Sequence, residues 1–361
     1  MADNFRVHLL RFRAEVLGPI QLPAAAGSAL RSALFGALRQ QFCQATSPKT
    51  CGQPPVADGC PVCFLLAPVD EQDPRGRDVP RPYALRGIGC GPLTYAAGQT
   101  LEFGLATFGR ALSYFPYTVL GVEEMGRLGI GARRAGAFRL EEIWAENPLL
   151  GRQEAVYARS HGATVRGPDL PVDAVQVMEE ARSLAERGAR SGLRVELLSP
   201  VRLIDDGKLV KPETLSFRPF LGRLLERISA LWTRYGEGAP PCNARALLHQ
   251  AGAVRVTETA LVWRELFRAS GRHGRMLPMS GLTGAFTLEG ELEPFLPWLV
   301  WGSLIQVGKD AAMGNGQFRL LPASRAPAVF RDADEKVGNA TSASLVRGGA
   351  TAAFGDAEGK G

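Results

Sequence analysis

The residues best placed to do chemistry in this chain sit in a glycine-rich loop near its C-terminus, VGKDAAMGNGQFRL, Val307–Leu320. Gly308, Gly314 and Gly316 flank Lys309, between an apolar helical run and the strand-like QFRLL. Glycines let the backbone come close to a ligand and adopt positive φ, and a lysine at that point of approach adds a positive charge, so the pattern suits an anion such as phosphate. The same residues would also make a tight helix-to-strand turn with a solvated lysine. An echo lies upstream in LGIGARRAGAFRL, Leu128–Leu140, where Arg133 and Arg134 take the basic positions. Both copies end in G-x-F-R-L, which points to a duplicated unit.

A second group is the cysteine cluster Cys43-x7-Cys51-x8-Cys60-x2-Cys63, with Cys90 and Cys242 apart from it. The C-x2-C half has good zinc-ligand spacing, and the other half is looser than a ribbon or knuckle. Four thiolates on one irregular insertion need a reason to fold, which structural Zn²⁺ would supply; an iron–sulfur cluster and unligated thiols are the alternatives. Four thiolates leave no open coordination position, so such a metal would be structural rather than catalytic.

The elements that must position these groups form two similar series. In the N-terminal half Phe5–Val16 reads as a strand, and Ala24–Phe42 as a helix carrying Arg31 and Arg39. Next come a Pro/Cys/Gly-rich stretch over 43–82, strands Tyr83–Ile88 and Thr100–Phe108, a helix around Tyr117–Leu128 and strand Ala137–Trp144. In the C-terminal half Arg194–Ile204 reads as a strand, its Pro200 implying an edge or a bulge. Phe217–Tyr235 is an amphipathic helix; Val254–Phe267 and Leu282–Leu292 are antiparallel strands around the loop GRHGRMLP; Phe295–Val307 is an apolar helix and Gln317–Leu321 a strand. Each half thus runs β-α-β-β-α-β, a ferredoxin-like unit. The reading is α+β: an N-terminal domain over 1–146, a connector over 147–192 with one short helix, a C-terminal domain over 193–322, and a disordered tail over 323–361.

Bulk composition fits. The 361 residues suffice for two domains, and 45% hydrophobic with 22% charged residues is ordinary for a globular protein. No run reaches the length of a membrane span, and MADNFRVHLLRF lacks a signal-peptide core, so no membrane partner and a cytoplasmic location are expected. Six cysteines in that compartment argue against a disulfide framework. Net charge is +6 with 36 Arg to 6 Lys. Arginine's planar fork suits phosphate, which favours a polyanionic partner such as nucleic acid, although genomic GC bias also produces such a ratio.

Three stretches resemble the RAMP superfamily of CRISPR-associated proteins, and within it the endoribonucleases that process CRISPR repeat RNA. Gly281–Leu320 is similar to the C-terminal signature of that family, Leu197–Gly236 to the opening of its C-terminal domain, and SALRSALFGALRQQFC to its N-terminal helix in a cysteine-bearing branch. The resemblance implies tandem ferredoxin-like (RRM-like) domains that bind repeat or guide RNA on an open sheet face or in a cleft between domains. Lys309, Gly308, Gly314, Gly316, Arg272, Arg275, Arg133, Arg134, Arg31 and Arg39 are the expected contacts, with the loop's backbone N–H groups meeting phosphates. Other CRISPR effector subunits are further expected partners. The sequence departs from the family in three places: Gln306 stands for a glycine and Asn315 for a hydrophobic residue in the loop, and no His lies between His8 and His161.

The resemblance also implies cleavage without a metal cofactor. A ribose 2′-OH attacks the adjacent phosphate, leaving a 2′,3′-cyclic phosphate and a 5′-OH. That needs a base, cationic support for the phosphorane and a proton for the leaving oxygen. Imidazole suits the first and last roles. His273, among Arg268, Arg272 and Arg275, ranks first, and His161, between Arg159 and Arg166, second. His8 alternates with apolar strand residues and would face solvent or RNA; His249 reads as a structural helix residue. Catalysis by Arg or Lys alone is the alternative, as is a subunit that binds guide RNA without cutting it.

Overall fold

The computed structural model describes residues 5–43, 60–68, 79–190, 192–270 and 274–323. The first sheet grows from strand β1 (Val7–Val16), whose side chains alternate between a helix-covered face carrying Leu10, Phe12 and Ala14 and an outer face carrying Arg11 and Arg13. β2 (Ile20–Leu22) forms a small ribbon with β4 (Leu93–Tyr95), while β3 (Tyr83–Arg86), β5 (Thr100–Phe108), β6 (Phe138–Asn147) and β7 (Arg152–Ala158) join β1. The antiparallel order is β3-β5-β1-β6-β7. Helices α1 (Ala26–Phe42), α2 (Pro61–Leu66) and α3 (Phe115–Leu128) share its apolar cluster with Leu30, Leu34, Val119 and Val122. The β-α-β-β-α-β order expected for this half is present. β7 is an addition: residues expected in the connector return through a turn at Gly151 (φ 61) and pair with β6. Its RQEAVYA puts three polar residues before its apolar ones and carries no apolar alternation by which to recognise it.

The chain then enters α4 (Ala174–Leu184), capped by Asp173, whose carboxylate accepts from Gln176 N at 3.0 Å. The second sheet contains β8 (Gly192–Val201), β11 (Arg255–Arg264), β14 (Gly281–Glu289) and β15 (Phe318–Pro322) in the order β11-β14-β8-β15. A short ribbon of β9 (Ile204–Asp205) and β10 (Lys208–Leu209) follows β8. Helices α5 (Phe217–Tyr235) and α7 (Leu296–Ile305) complete the ferredoxin-like order, and the short α6 (Ala244–Gln250) follows α5. Pro200 lies in an interior strand at a register shift against Leu282–Gly284, so the bulge alternative holds. The stretch expected as the loop GRHGRMLP is instead partly strand: β12 (Phe267–Ser270) and β13 (Arg275–Pro278) form a hairpin inserted between β11 and β14.

The two sheets are not independent bodies. Phe5, Val7, Leu9 and Phe108 of the first half belong to the same apolar cluster as Trp232 of α5 and Trp301 of α7. Phe5 stacks on Trp232 at 4.9 Å between ring centroids, and Trp232 meets Trp301 edge-on at 5.7 Å. Such a continuous dry contact behaves like a domain interior rather than a hinge. No described helix is long and apolar enough to cross a membrane.

Candidate functional site

The glycine-rich loop leaves α7 through Gln306, which is fully buried and left-handed (φ 67). That conformation disfavours any residue with a Cβ, and the side chain supplies the compensation: Nε2 donates to Leu85 O on edge strand β3 at 2.7 Å. Gln317 completes the clamp. Its Oε1 accepts from Gly87 N at 3.1 Å while its Nε2 donates to Gly314 O at 2.9 Å. Arg86, whose pKa burial lowers to about 10, donates to Leu304 O at 2.6 Å. Asn315, the loop's other departure, donates to Met279 O at 2.9 Å. The two departures are therefore polar latches. They hold the loop to the first half and to the start of β14.

The loop's amides are mostly spoken for. Those of Val307 and Gly316 donate to Gly316 O and Pro200 O, each at 2.9 Å, Lys309 N to Arg202 O at 3.0 Å, and Met313 and Gly314 N to Asp310 O and Ala311 O. Gln317 N donates to Ser199 Oγ at 2.9 Å. These N–H groups are satisfied within the protein, and the positive φ values of Gly308 and Gly316 allow close packing. A Cβ on Gly316 would stand 2.0 Å from Val307 O. Helix α1 presses on the loop equally closely, since a Cβ on Gly27 would lie 2.0 Å from Met313 O. The loop forms a closely packed shelf, and Lys309 gives it an exposed positive charge.

Lys309 and other basic side chains converge on a cavity of about 410 Å³ between the two halves. Lys309 is exposed at the shelf, with Arg31 from α1, Arg81 before β3, Arg227 from α5 and Arg268 from the inserted hairpin around it. Arg31 Nη2 donates to Leu66 O at 3.0 Å, Arg81 Nη1 to Val79 O at 3.2 Å and Arg227 Nε to Ile305 O at 2.9 Å. Arg31 Nε, Arg227 Nη2 and Arg268 Nε are enclosed and have no hydrogen-bond partner among the described residues. Burial lowers the Arg227 pKa to about 10, so the guanidinium stays charged at neutral pH. Asp310 is the one acid among the lining residues. Among the described lining residues five cations face one carboxylate, and three enclosed guanidinium donors have no acceptor there, an arrangement that suits a polyanion.

The alternative platform, the outer face of the first sheet, is electrostatically spent. Arg11 pairs with Glu146 at 2.5 Å, Arg13 with Glu142 at 3.2 Å, and Arg139 with Glu15 at 2.5 Å and Glu141 at 2.6 Å. Of the expected contacts, the cleft gathers Lys309, Gly308 and Arg31. Gly314 and Gly316 lie buried in the loop beneath it. Arg39 is exposed at the last turn of α1, and Arg133 and Arg134 are exposed in left-handed conformations (φ 53 and 56) at the first half's turn; none lines the cleft. Arg275 is exposed on β13, while Arg272 and His273 lie outside the described residues. Sequence reasoning passed over Arg81 and Arg227; Arg227 is the one basic residue of its helix that faces inward beside Leu224, Ile228 and Leu231.

The histidines are dispersed. His161 is exposed on a 3-10 turn after β7, within hydrogen-bond distance of its neighbour Ser160, and lies outside the cleft lining; His249 is exposed on α6. His8 is 5% exposed and does not line the cleft. Among the described residues no three of His, Cys, Asp and Glu are placed to hold a metal. Cys60 and Cys63 are buried in the apolar cluster of the first half and Cys43 packs against it, as small hydrophobes would. Cys51 lies outside the described residues, so the expected four-thiolate set has one member whose position is not described.

Two ferredoxin-like units around a shared core thus place a glycine-rich shelf at the cleft between them. Residues 195–318 match the model of the CRISPR-associated endoribonuclease Cas6. Residues 5–169 match a model described as an N-terminal domain. No curated protein matches the sequence. Among solved structures, a partial Cas6-RT-Cas1–Cas2 complex is similar at 12% identity and a TM-score of 0.56, over 91% of this chain and 48% of that one. The Cas6-RT-Cas1–Cas2 complex gives the same identity and TM-score, over 30% of its chain, so this chain spans half or less of both. A Cas6 product complex is similar at 16% identity and a TM-score of 0.51, covering 88% of this chain and 99% of that one. These likenesses establish the shared fold.

Proposed function

We propose that this protein binds CRISPR repeat RNA in the interdomain cleft and cuts it as a metal-independent endoribonuclease, yielding guide RNA. The observation that carries the reading is the convergence of Arg31, Arg81, Arg227, Arg268 and Lys309 on one cavity, where Arg31 Nε, Arg227 Nη2 and Arg268 Nε have no acceptor among the described residues. In the reaction a ribose 2′-oxygen attacks the adjacent phosphorus and loses its proton to a base. The P–O5′ bond breaks, and the leaving oxygen takes up a proton. The products are a 2′,3′-cyclic phosphate and a 5′-OH. The cations would stabilise the charge that builds on the phosphorane, a contribution typically worth about 3–4 kcal/mol for each well-placed donor. His273 is the proposed base or acid, with His161 second. Structural Zn²⁺ at Cys43, Cys51, Cys60 and Cys63 remains part of the proposal, with no step of the reaction passing through it.

The test is incubation of the protein with a repeat-containing transcript in EDTA. Discrete cleavage with cyclic-phosphate ends is expected, and intact RNA would defeat the nuclease reading. A second reading is a non-catalytic subunit that holds guide RNA inside a CRISPR effector complex. It is favoured by the cleft lining, in which no described histidine appears. Tight binding without cleavage, unchanged in His273→Ala, would select it.

A further inference from the structure

A second cavity of about 620 Å³ lies where the beginning of β1, the 3-10 turn after β5, the stretch 168–171 and the end of α5 meet. Its composition differs from the cleft's. Arg6 and Arg110 stand exposed at the rim, opposed by the exposed carboxylates of Asp169 and Glu237. The buried Tyr235, fixed by donation of its hydroxyl to Pro80 O at 2.7 Å, forms part of the wall. His8 also lines the cavity. Its Nδ1 is enclosed without a hydrogen-bond partner among the described residues, and burial holds the imidazole pKa near 4, so the ring is neutral at physiological pH.

The register explains why a histidine sits there. Across β3, β5 and β1 the row Leu85–Leu105–Leu10 is apolar, but the next row on the same face is Tyr83–Thr107–His8. Thr107 Oγ1 is likewise enclosed and unpartnered among the described residues, and the Tyr83 hydroxyl lies beside Arg31 of the cleft. A polar row therefore runs under the sheet from the cleft to the second cavity. At two strand spacings it spans about 10 Å.

We propose that this cavity is a second nucleotide subsite, taking a base with an exocyclic amino group from the same single-stranded RNA that the cleft holds. It rests on the reading of the cleft as an RNA site. The base stacks on the Tyr235 wall and meets the neutral His8 edge, its amino group donates to Asp169 or Glu237, and Arg6 and Arg110 take the flanking phosphate. Carboxylates accept from base amino groups and repel phosphate, so the mixed rim selects bases where the cleft selects backbone.

Binding of an adenine-rich and a uracil-rich single-stranded RNA, measured by fluorescence anisotropy, tests this on the full chain. The wild type should prefer the adenine-rich strand. His8→Leu and Arg110→Ala should each weaken that strand's binding about five- to tenfold, and the double variant Asp169→Ala/Glu237→Ala should erase the preference. Arg227→Ala in the cleft should weaken both RNAs alike. Should His8→Leu fail to fold, the variants at the exposed Arg110 and at Asp169 with Glu237 still decide. Wild-type affinity and preference in those variants, alongside loss in Arg227→Ala, would overturn the subsite and leave the cleft intact. Failure of the wild type to bind either RNA would overturn both.

Discussion

Arg227 carries the clearest conflict between stability and function. A guanidinium held at an apolar helix face, with one N–H group lacking an acceptor among the described residues, costs the fold free energy that a neutral side chain would not. Arg227→Met should therefore leave the melting temperature unchanged or raise it, while RNA affinity in a gel shift falls about tenfold or more. A drop in both would make the arginine structural. His8 gives a pH signature. Its folded pKa near 4 lies below the ordinary histidine value of 6.5, with Arg6 opposing protonation and Asp169 favouring it. The unfolded chain thus takes up the proton first, and stability falls as pH drops from 6.5 toward 4, by about 3 kcal/mol from this residue. Chemical denaturation at neutral and acid pH should show that loss, and His8→Leu should remove it.

At the scale of elements, the loop between α7 and β15 shows what the sequence disclosed and what it concealed. The glycines, the lysine and the β-α-β-β-α-β order around them were legible, because periodicity and turn residues are local properties. That Gln306 and Asn315 are latches was not, because their acceptors, Leu85 O and Met279 O, lie far along the chain. Arg81 stayed hidden for a similar reason: it follows an insertion without periodicity, and only the packing of the halves brings it to the cleft. The latch makes an ordering prediction. Gln306→Gly loses the bond to Leu85 but relieves the left-handed strain, whereas Gln306→Ala loses the bond and keeps the strain. Urea denaturation should therefore find the alanine variant less stable than the glycine variant by about 1 kcal/mol, with both below wild type. The reverse order would mean that the side chain, not the backbone, sets the cost.

The whole molecule is governed by its charge distribution and its shared interior. Five cleft cations confronting a single strand should give a log–log dependence of binding constant on salt with a slope of about −3 to −4. The paired charges on the outer sheet face should contribute little. A slope near zero would remove the cleft from the RNA path. The ion-paired face also explains why a net charge of +6 alone would have misplaced the site, since the total does not say which arginines are already neutralised.

The packed rings of Phe5, Trp232 and Trp301 make the halves complementary fragments rather than separable modules. Either half expressed by itself would present this aromatic seam to water and aggregate. Co-expressed from two open reading frames divided in the exposed segment around residues 162–167, the halves should find each other and restore a soluble particle. An inducible split version of the protein is thus built into its architecture.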